Sequence, residues 1–322
     1  MSDGQTDEEL EFDVVEEVPA ALAGERIDRI VAFMLDVSRT VAQAVIAAGG
    51  VIVDGEPAAS GKVRLVAGQS IAAATGAIPV EQPPGPEPDV SFRVVYEDDA
   101  IIVIDKPAGL VVHPGAGNRS GTLANGLLAR YPEIASVGEM VRPGIVHRLD
   151  AGSSGLLVVA RTQDAADALI EQFSSHHPMR EYQALVWGHP AAPHGVIDAP
   201  VGRSRRDPLK MAVVADGRWA RTEYRVVRLF DSPAELALLD CQLETGRTHQ
   251  IRVHLSSINH PLVGDPAYGQ RRPKLQLERP FLHAAKLAFI HPVTGERVQF
   301  ESPLPADLAD RLASLREVVD ER

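Results

Sequence analysis

Between residues 26 and 35, apolar side chains fall at Ile27, Ile30, Val31, Met34 and Leu35. That spacing is one face of an amphipathic helix. Ser38 is a good N-cap for a second helix over 39–48, and Gly49-Gly50 is a stop signal. Val51-Ile52-Val53 followed by Asp54-Gly55 predicts a strand and a tight hairpin turn. Val63, Leu65 and Ile71 alternate around Ala67-Gly68 and predict a second short strand pair. Residues 78–89 hold five prolines and one glycine, which excludes a helix or central strand and predicts a semi-rigid linker. Strands follow over 92–97 and 101–104, then a turn at Lys106-Pro107-Ala108-Gly109 and a short strand over 110–112. Thr122 can cap a helix reaching about Arg130. The run Leu156–Ala160 is short, apolar and β-branched in its middle, so it predicts a buried strand. A helix over 164–173, strands over 181–187, 222–230 and 235–243, a strand-to-helix switch at Gly246, a further segment over 281–290 and a helix from Ala306 complete the pattern. There is no internal repeat of 20–50 residues. Strands and helices interleave without a strict βαβ rhythm. The expected fold class is α+β, with a mixed, largely antiparallel sheet in a second domain and a small α+β module before it.

Four segments result: an acidic disordered tail over 1–17, a small module over 18–77, a Pro-rich linker over 78–90 and a large domain over 91–322. With 45% hydrophobic residues the chain can build sizeable cores. No apolar run approaches the roughly 20 residues that cross a bilayer, and the single cysteine, Cys241, permits no internal disulfide. These features predict a cytoplasmic protein without membrane attachment. The formal net charge of −12 seems to argue against a polyanionic partner, but its distribution changes that. Nine acids and no lysine or arginine lie in residues 1–25. Residues 202–228 instead carry seven arginines and Lys210 against Asp207, Asp216 and Glu223. A polyanion could bind that face, with Arg203, Arg205 and Arg206 as leading cations, while the whole stays acidic.

The chemistry-capable stretch is 144–161, G-I-V-H-R-L-D-A-G-S-S-G-L-L-V-V-A-R. His147, Arg148 and Asp150 sit at a tight turn before the predicted core strand. That is how a cleft carboxylate is built, and equally how a surface ion pair is built. Lys106 reads as a turn-stabilising residue. His249, His254 and His260 fit no usual zinc spacing and have no nearby cysteine, so they read as structural and no metal is expected. Tyr224, Phe230 and Trp187 read as core.

Residues 24–77 resemble the alpha-L RNA-binding module through Arg26-Ile27-Asp28, Ser38-Arg39, Gly50–Gly55 and Ala67–Ile71. Arg39 at a helix N-terminus would favour phosphate. Further along, Lys106-Pro107-Ala108-Gly109, His147-Arg148-Leu149-Asp150 with Ser153–Leu157, Arg180-Glu181-Tyr182 and Gly246–His254 occur in that order. Together they resemble the ribosomal large-subunit pseudouridine synthase family of the A/D type, and the loop His113–Asn118 is closest to its D branch. The resemblance covers about residues 24–300. Ala151-Gly152-Ser153-Ser154 departs from the usual sequence after the aspartate, and Arg180 stands where lysine is common.

The resemblance implies isomerisation of uridine to pseudouridine in large-subunit ribosomal RNA, without metal or organic cofactor; a monomer is expected. The N1–C1′ bond breaks, uracil turns and C5 bonds to C1′. Asp150 matches the catalytic aspartate, as nucleophile or as base at the sugar 2′ position. Arg252 matches the cation that pairs with it. Tyr182 matches the aromatic against the target base. Arg148 matches the residue that enters the RNA as the uridine flips out. The expected partner of Asp150 is therefore remote Arg252 and not its sequence neighbour Arg148. Two other functions fit the residues: a non-catalytic RNA-binding assembly factor and an RNA N-glycosidase, which would need a second acid as proton donor.

Overall fold

The structure is a computed structural model that describes residues 10–79, 83–115, 118–207, 210–269, 275 and 277–318. It divides into two compact units, residues 1–81 and 82–322. Among the described residues no single helix is long and apolar enough to cross a membrane.

The first unit runs β1 (Val14–Glu17), α1 (Ile27–Met34), α2 (Arg39–Ala47), β2 (Val51–Val53), β3 (Glu56–Pro57) and β4 (Ser70–Ala73). The Ser38 hydroxyl caps α2 by accepting from Val41 N–H, as its residue type dictates. Ile27, Ile30 and Val31 of α1 pack on Ala42, Val45 and Ile46 of α2 and on the sheet residues Val51 and Ile71. Two expectations are corrected. Val14–Glu17, assigned to the disordered tail, is a strand paired with β4, and residues 1–9 lie outside the described residues. Residues 63–65 form no strand of a second pair: both edges of β4 are already taken, by β1 and β2.

The second unit runs β5 (Arg93–Glu97), β6 (Ile101–Lys106), α3 (Leu123–Arg130), β7 (Gly138–Glu139), β8 (Arg142–Pro143), β9 (Ser154–Ala160), α4 (Gln163–Ser174), β10 (Met179–Trp187), β11 (His194–Asp198), β12 (Val201–Arg203), β13 (Met211–Val213), β14 (Arg221–Ser232), β15 (Leu236–Leu243), α5 (Gln250–Ser257), β16 (Leu282–Ile290), β17 (Arg297–Glu301), α6 (Ala306–Ala313) and β18 (Arg316–Glu317). A ten-stranded sheet carries the order β11-β14-β15-β10-β16-β9-β6-β5, with β17 on β16 and β18 on β14. Every pairing in it is antiparallel except β9 with β16, so the α+β, largely antiparallel expectation holds. All seven residues of β9 are buried, as a strand covered on both faces requires.

Two segments of this unit depart from the sequence pattern. Residues 110–112 are not a strand. Their carbonyls are spent elsewhere: Leu110 O accepts from the Lys106 ammonium, and Val111 O and Val112 O accept from the first N–H groups of α3. The Pro-rich segment, of which 80–82 lie outside the described residues, is tied down beyond Pro84. Glu87 N–H donates to Asn125 O, and the Asn125 amide donates to Gly85 O.

Gly155 fixes how the turn after Asp150 enters the sheet. Its φ is +111°, and a Cβ there would lie 2.3 Å from Ala284 O on the neighbouring strand. Gly155→Ala combines a left-handed-region penalty with a backbone clash. It is expected to lower stability by about 3 kcal/mol, read as a shift of the urea midpoint at constant m-value.

Candidate active site

Lys106 ends β6 with no exposed surface. Its ammonium donates to Pro107 O and Leu110 O, both at 2.8 Å, and to Ala151 O at 3.3 Å. One carbonyl meets each N–H. Burial pushes its pKa down to about 7, with Asp150 acting in the other direction. Gly109 N–H also donates to Ala151 O, and Ser153 N–H to Asp150 O. The turn that bears Asp150 is thus clamped from the opposite loop, which is the turn-stabilising role read for Lys106.

Across this turn the side chains alternate. His147 stacks on Phe173 with ring centroids 4.3 Å apart, and its Nε2 accepts from Val158 N–H. Leu149 is buried in the core. Arg148 is exposed, and its Nη1 donates to His113 Nε2 at 3.3 Å. Asp150 keeps 18% of its side chain exposed and lines a cavity of about 590 Å³ with Arg148, Tyr182, Leu243, Ile251 and Arg252.

Arg252 comes from α5, whose start is pinned by Gln250. The Gln250 amide oxygen accepts from the Thr245 hydroxyl and Arg247 N–H, and its nitrogen donates to Arg221 O and Thr222. Arg252 Nη1 donates to Asp150 Oδ2 at 3.1 Å, so the remote arginine is the carboxylate's partner. Its other face makes a bidentate pair with Asp265, at 2.7 and 2.9 Å. Burial raises the pKa of Asp265, but the Arg252 bonds and the N–H groups of Ala267 and Tyr268 outweigh it and hold the acid below its usual value. Asp265 was not singled out from the sequence. Asp-Pro-Ala-Tyr-Gly at 265–269 carries an Asx-turn signal, but nothing in it names Arg252 as the recipient.

Tyr182 sits on β10, 7% exposed, next to a β-bulge between Glu181 and Tyr182 in the pairing with β16. Bulges re-aim side chains near sites. Burial pushes its phenol up to about 12, with Arg180 opposing. The hydroxyl therefore stays protonated at neutral pH, and the ring presents an aromatic wall. Arg180 is held over Phe173 and donates to Glu244 O.

The basic face expected over 202–228 is largely neutralised by pairing. Arg205 pairs with Asp216, Arg221 with Glu223 and Glu244, Arg225 with Asp240, and Arg228 with Glu317. Arg203, Arg205 and Arg206 lie exposed on or beside the β12–β13 hairpin and do not line the cavity. The arginines that do are Arg142, Arg148, Arg180, Arg218, Arg247 and Arg252, with Asp150 the one carboxylate among the described residues. In the first unit, Arg39 reaches buried Asp28 at 3.1 Å, with half of its side chain exposed. His254 bonds Thr222 and Ala199 O, and His260 bonds Trp187 O. Phe230 and Trp187 are buried, and Tyr224 is half-buried against the core.

One carboxylate with a fixed counter-cation, an aromatic wall and a rim of arginines defines a cleft for a base carried on a polyanion. The comparisons agree. Residues 100–257 match the family model described as RNA pseudouridylate synthase. An uncharacterized RNA pseudouridine synthase of Chloroflexus aurantiacus is 50% identical over 308 residues, 93% of each chain. A ribosomal large subunit pseudouridine synthase D of Xanthomonas campestris is 44% identical, covering 93% of this chain and 92% of the other. The solved structure of human RNA pseudouridylate synthase domain containing 1 matches with a TM-score of 0.58 at 25% identity, over 72% of this chain and 91% of that one. The chain belongs to the RNA pseudouridine synthase family, on the branch that holds the ribosomal pseudouridine synthases of the D type. It is an isomerase that converts uridine to pseudouridine in RNA.

His147 gives a pH test of the site's foundation. Burial lowers its pKa from 6.5 to about 3, helped by the charge of Arg180. Between those values the unfolded chain binds a proton here that the folded chain refuses. Stability therefore falls as pH drops through this window, by up to about 1.4 kcal/mol per pH unit from this group. His147→Gln keeps an acceptor for Val158 N–H. It is expected to flatten the change in urea midpoint between pH 7 and pH 5; an unchanged slope refutes a buried neutral ring.

Proposed function

We propose that this enzyme isomerises uridines of large-subunit ribosomal RNA in the cytoplasm, acting as a monomer with Asp150 as the reacting carboxylate. The observation that carries the proposal is Asp150 itself: it lines an arginine-rimmed cavity, and a buried guanidinium grips one of its oxygens. The relatives named ribosomal large subunit pseudouridine synthase D, 44% identical in the Xanthomonas campestris case, support the substrate class.

The chemistry assigns each group a part. The uridine leaves the RNA stack and enters the cavity, at a cost of a few kcal/mol. Arg148, exposed at the rim, fills the gap and meets phosphate. Tyr182 packs against uracil and holds its plane. Asp150 attacks C1′ or takes the proton at the sugar 2′ position, and either route opens the N1–C1′ bond. The freed uracil turns and C5 bonds to C1′: on the first route this displaces the Asp150 oxygen from C1′, and on the second Asp150 returns its proton to C2′; the C5 proton departs and N1 gains one, so the product has the mass of the substrate. Arg252 supplies the counter-charge throughout, because Asp265 fixes it independently of the substrate. An N-glycosidase would need a second carboxyl as proton donor. Asp265 is unsuited to that role: its side chain has no exposed surface and both its oxygens are bonded to Arg252.

Asp150→Asn is expected to abolish pseudouridine in a large-subunit RNA transcript, by at least about 10³-fold in rate, a loss typical for a reacting group. RNA affinity should stay within about threefold of the parent, since the phosphate contacts carry it. Pseudouridine mapping and filter binding read the two quantities. Persistent pseudouridine formation in that variant removes Asp150 from the reaction, and release of free uracil would identify a glycosidase.

RNA affinity is also expected to fall steeply with salt. Replacing Arg203 and Arg206 by Ser should lessen the log–log slope by about 0.7–0.9 per charge that contacts phosphate. A slope equal to the parent's would show that the β12–β13 hairpin does not touch RNA.

A further inference from the structure

His249 holds a backbone conformation that nothing in helix formation requires. It is the residue before α5, with φ at +57° and ψ at +21°, in the left-handed region. A non-glycine residue there costs free energy and calls for a compensating contact. The side chain supplies one. Its Nδ1 lies 2.9 Å from the Tyr268 hydroxyl, and the two rings meet edge to face with centroids 5.6 Å apart. Its Nε2 lies 4.0 Å from Asp150 Oδ2, the oxygen that also accepts from Arg252.

The hydrogen-bond arithmetic at Tyr268 favours one tautomer. The phenolic oxygen already accepts from Met211 N–H at 2.9 Å. Its own hydrogen then finds an acceptor in His249 Nδ1. This leaves the ring proton on Nε2, the nitrogen 4.0 Å from the carboxylate. The other tautomer would strand the phenol hydrogen and turn an Nε2 lone pair toward the charge of Asp150. Burial pushes the phenol pKa up, so it remains a donor at neutral pH. Burial likewise pushes the imidazole down, with Asp150 and Asp265 opposing and Arg252 and Arg148 assisting, so the neutral ring is the relevant form. Tyr268 is braced in turn: its N–H donates to Asp265 Oδ1, and the Arg252 guanidinium lies 5.1 Å from its ring centre.

We propose that Tyr268 and His249 are a positioning pair for the reacting carboxylate: Tyr268 locks His249 as the Nε2–H tautomer, and His249 orients Asp150 from the side opposite its reacting oxygen. Arg252 and His249 both address Oδ2, so Oδ1 is the oxygen left for the sugar. The pair also joins the site to β13, since Met211 is the residue that fixes the phenol. This rests on the reading of Asp150 as the reacting group.

The first measurement is ¹⁵N-histidine NMR of the full-length protein at neutral pH, with the His249 signals assigned by their loss in His249→Gln. The expected spectrum has a protonated Nε2 and a bare Nδ1, in the parent and in Asp150→Asn alike. The opposite tautomer in the parent overturns the proposal whatever Asp150 does. Activity retained by Asp150→Asn, with the tautomer as expected, would instead overturn the reading of Asp150. The second measurement is single-turnover kinetics. Tyr268→Phe removes only the hydroxyl and keeps the ring under Arg252. It should slow the step about tenfold, the scale of losing one hydrogen bond that fixes a positioning side chain, with RNA affinity unchanged. His249→Gln retains an N–H donor and should keep more activity than His249→Leu. A parental rate in Tyr268→Phe, or equal rates in the Gln and Leu variants, would overturn the assignment.

Discussion

The arrangement in this enzyme depends on one buried guanidinium held between two carboxylates. Arg252 gives two hydrogen bonds to Asp265 and one to Asp150. Asp265 has no exposed side-chain surface, whereas Asp150 opens to the cavity. The division of labour follows from that difference. A fully desolvated pair is costly unless its hydrogen bonds are satisfied, and stripping one partner from such a pair costs about 3–5 kcal/mol. Asp265, with its backbone donors Ala267 and Tyr268, satisfies the pair and makes Arg252 immobile. The third donor direction of Arg252 is then available for Asp150, the carboxylate that lines the cavity.

Around this centre, backbone groups do much of the positioning. The Lys106 ammonium ties Pro107, Leu110 and Ala151 together through carbonyls. Gln250 plays the matching part on the opposite wall, between Thr245, Arg247 and Arg221. Asp150 and Arg252 are 102 residues apart, yet each sits next to a polar clamp that is itself buried. Rigidity of this kind suits a reaction in which the base must leave the sugar, turn and return without escaping.

The first unit uses the same device at smaller scale. Asp28 is wholly buried, and Arg26, Arg39 and Gln43 converge on it. Burial raises its pKa, but these bonds dominate and hold it far below the usual carboxylate value. Arg39, placed by sequence at a helix N-terminus where phosphate is favoured, also reaches Asp28 while half of its side chain stays exposed. A cation's address along the chain says little about which anion it serves.

Local periodicity and caps made most elements legible: Ser38 before α2, Thr122 before α3, the apolar run of β9, the alternation of β10. The order of four short motifs carried the family and named Asp150, Tyr182 and Arg252. Those are properties of adjacent residues, and adjacency is what a sequence records. The misreadings share the opposite cause. Residues 110–112 have strand-forming side chains, but their carbonyls serve Lys106 and α3. Val14–Glu17 has the composition of a tail, but β4 offers it an open edge. The basic stretch 202–228 is a different case: its charge was legible, but not that Arg205, Arg221, Arg225 and Arg228 each pair with an acid. Asp265, Tyr268 and the left-handed His249 gain their meaning only from Arg252 and Asp150. The sequence by itself determined most of the elements, the family and the candidate site residues Asp150, Tyr182 and Arg252. Only the tertiary structure decided which charges are paired, which backbone groups are spent and which oxygen of Asp150 Arg252 holds, because pairing and burial arise between residues far apart in the chain.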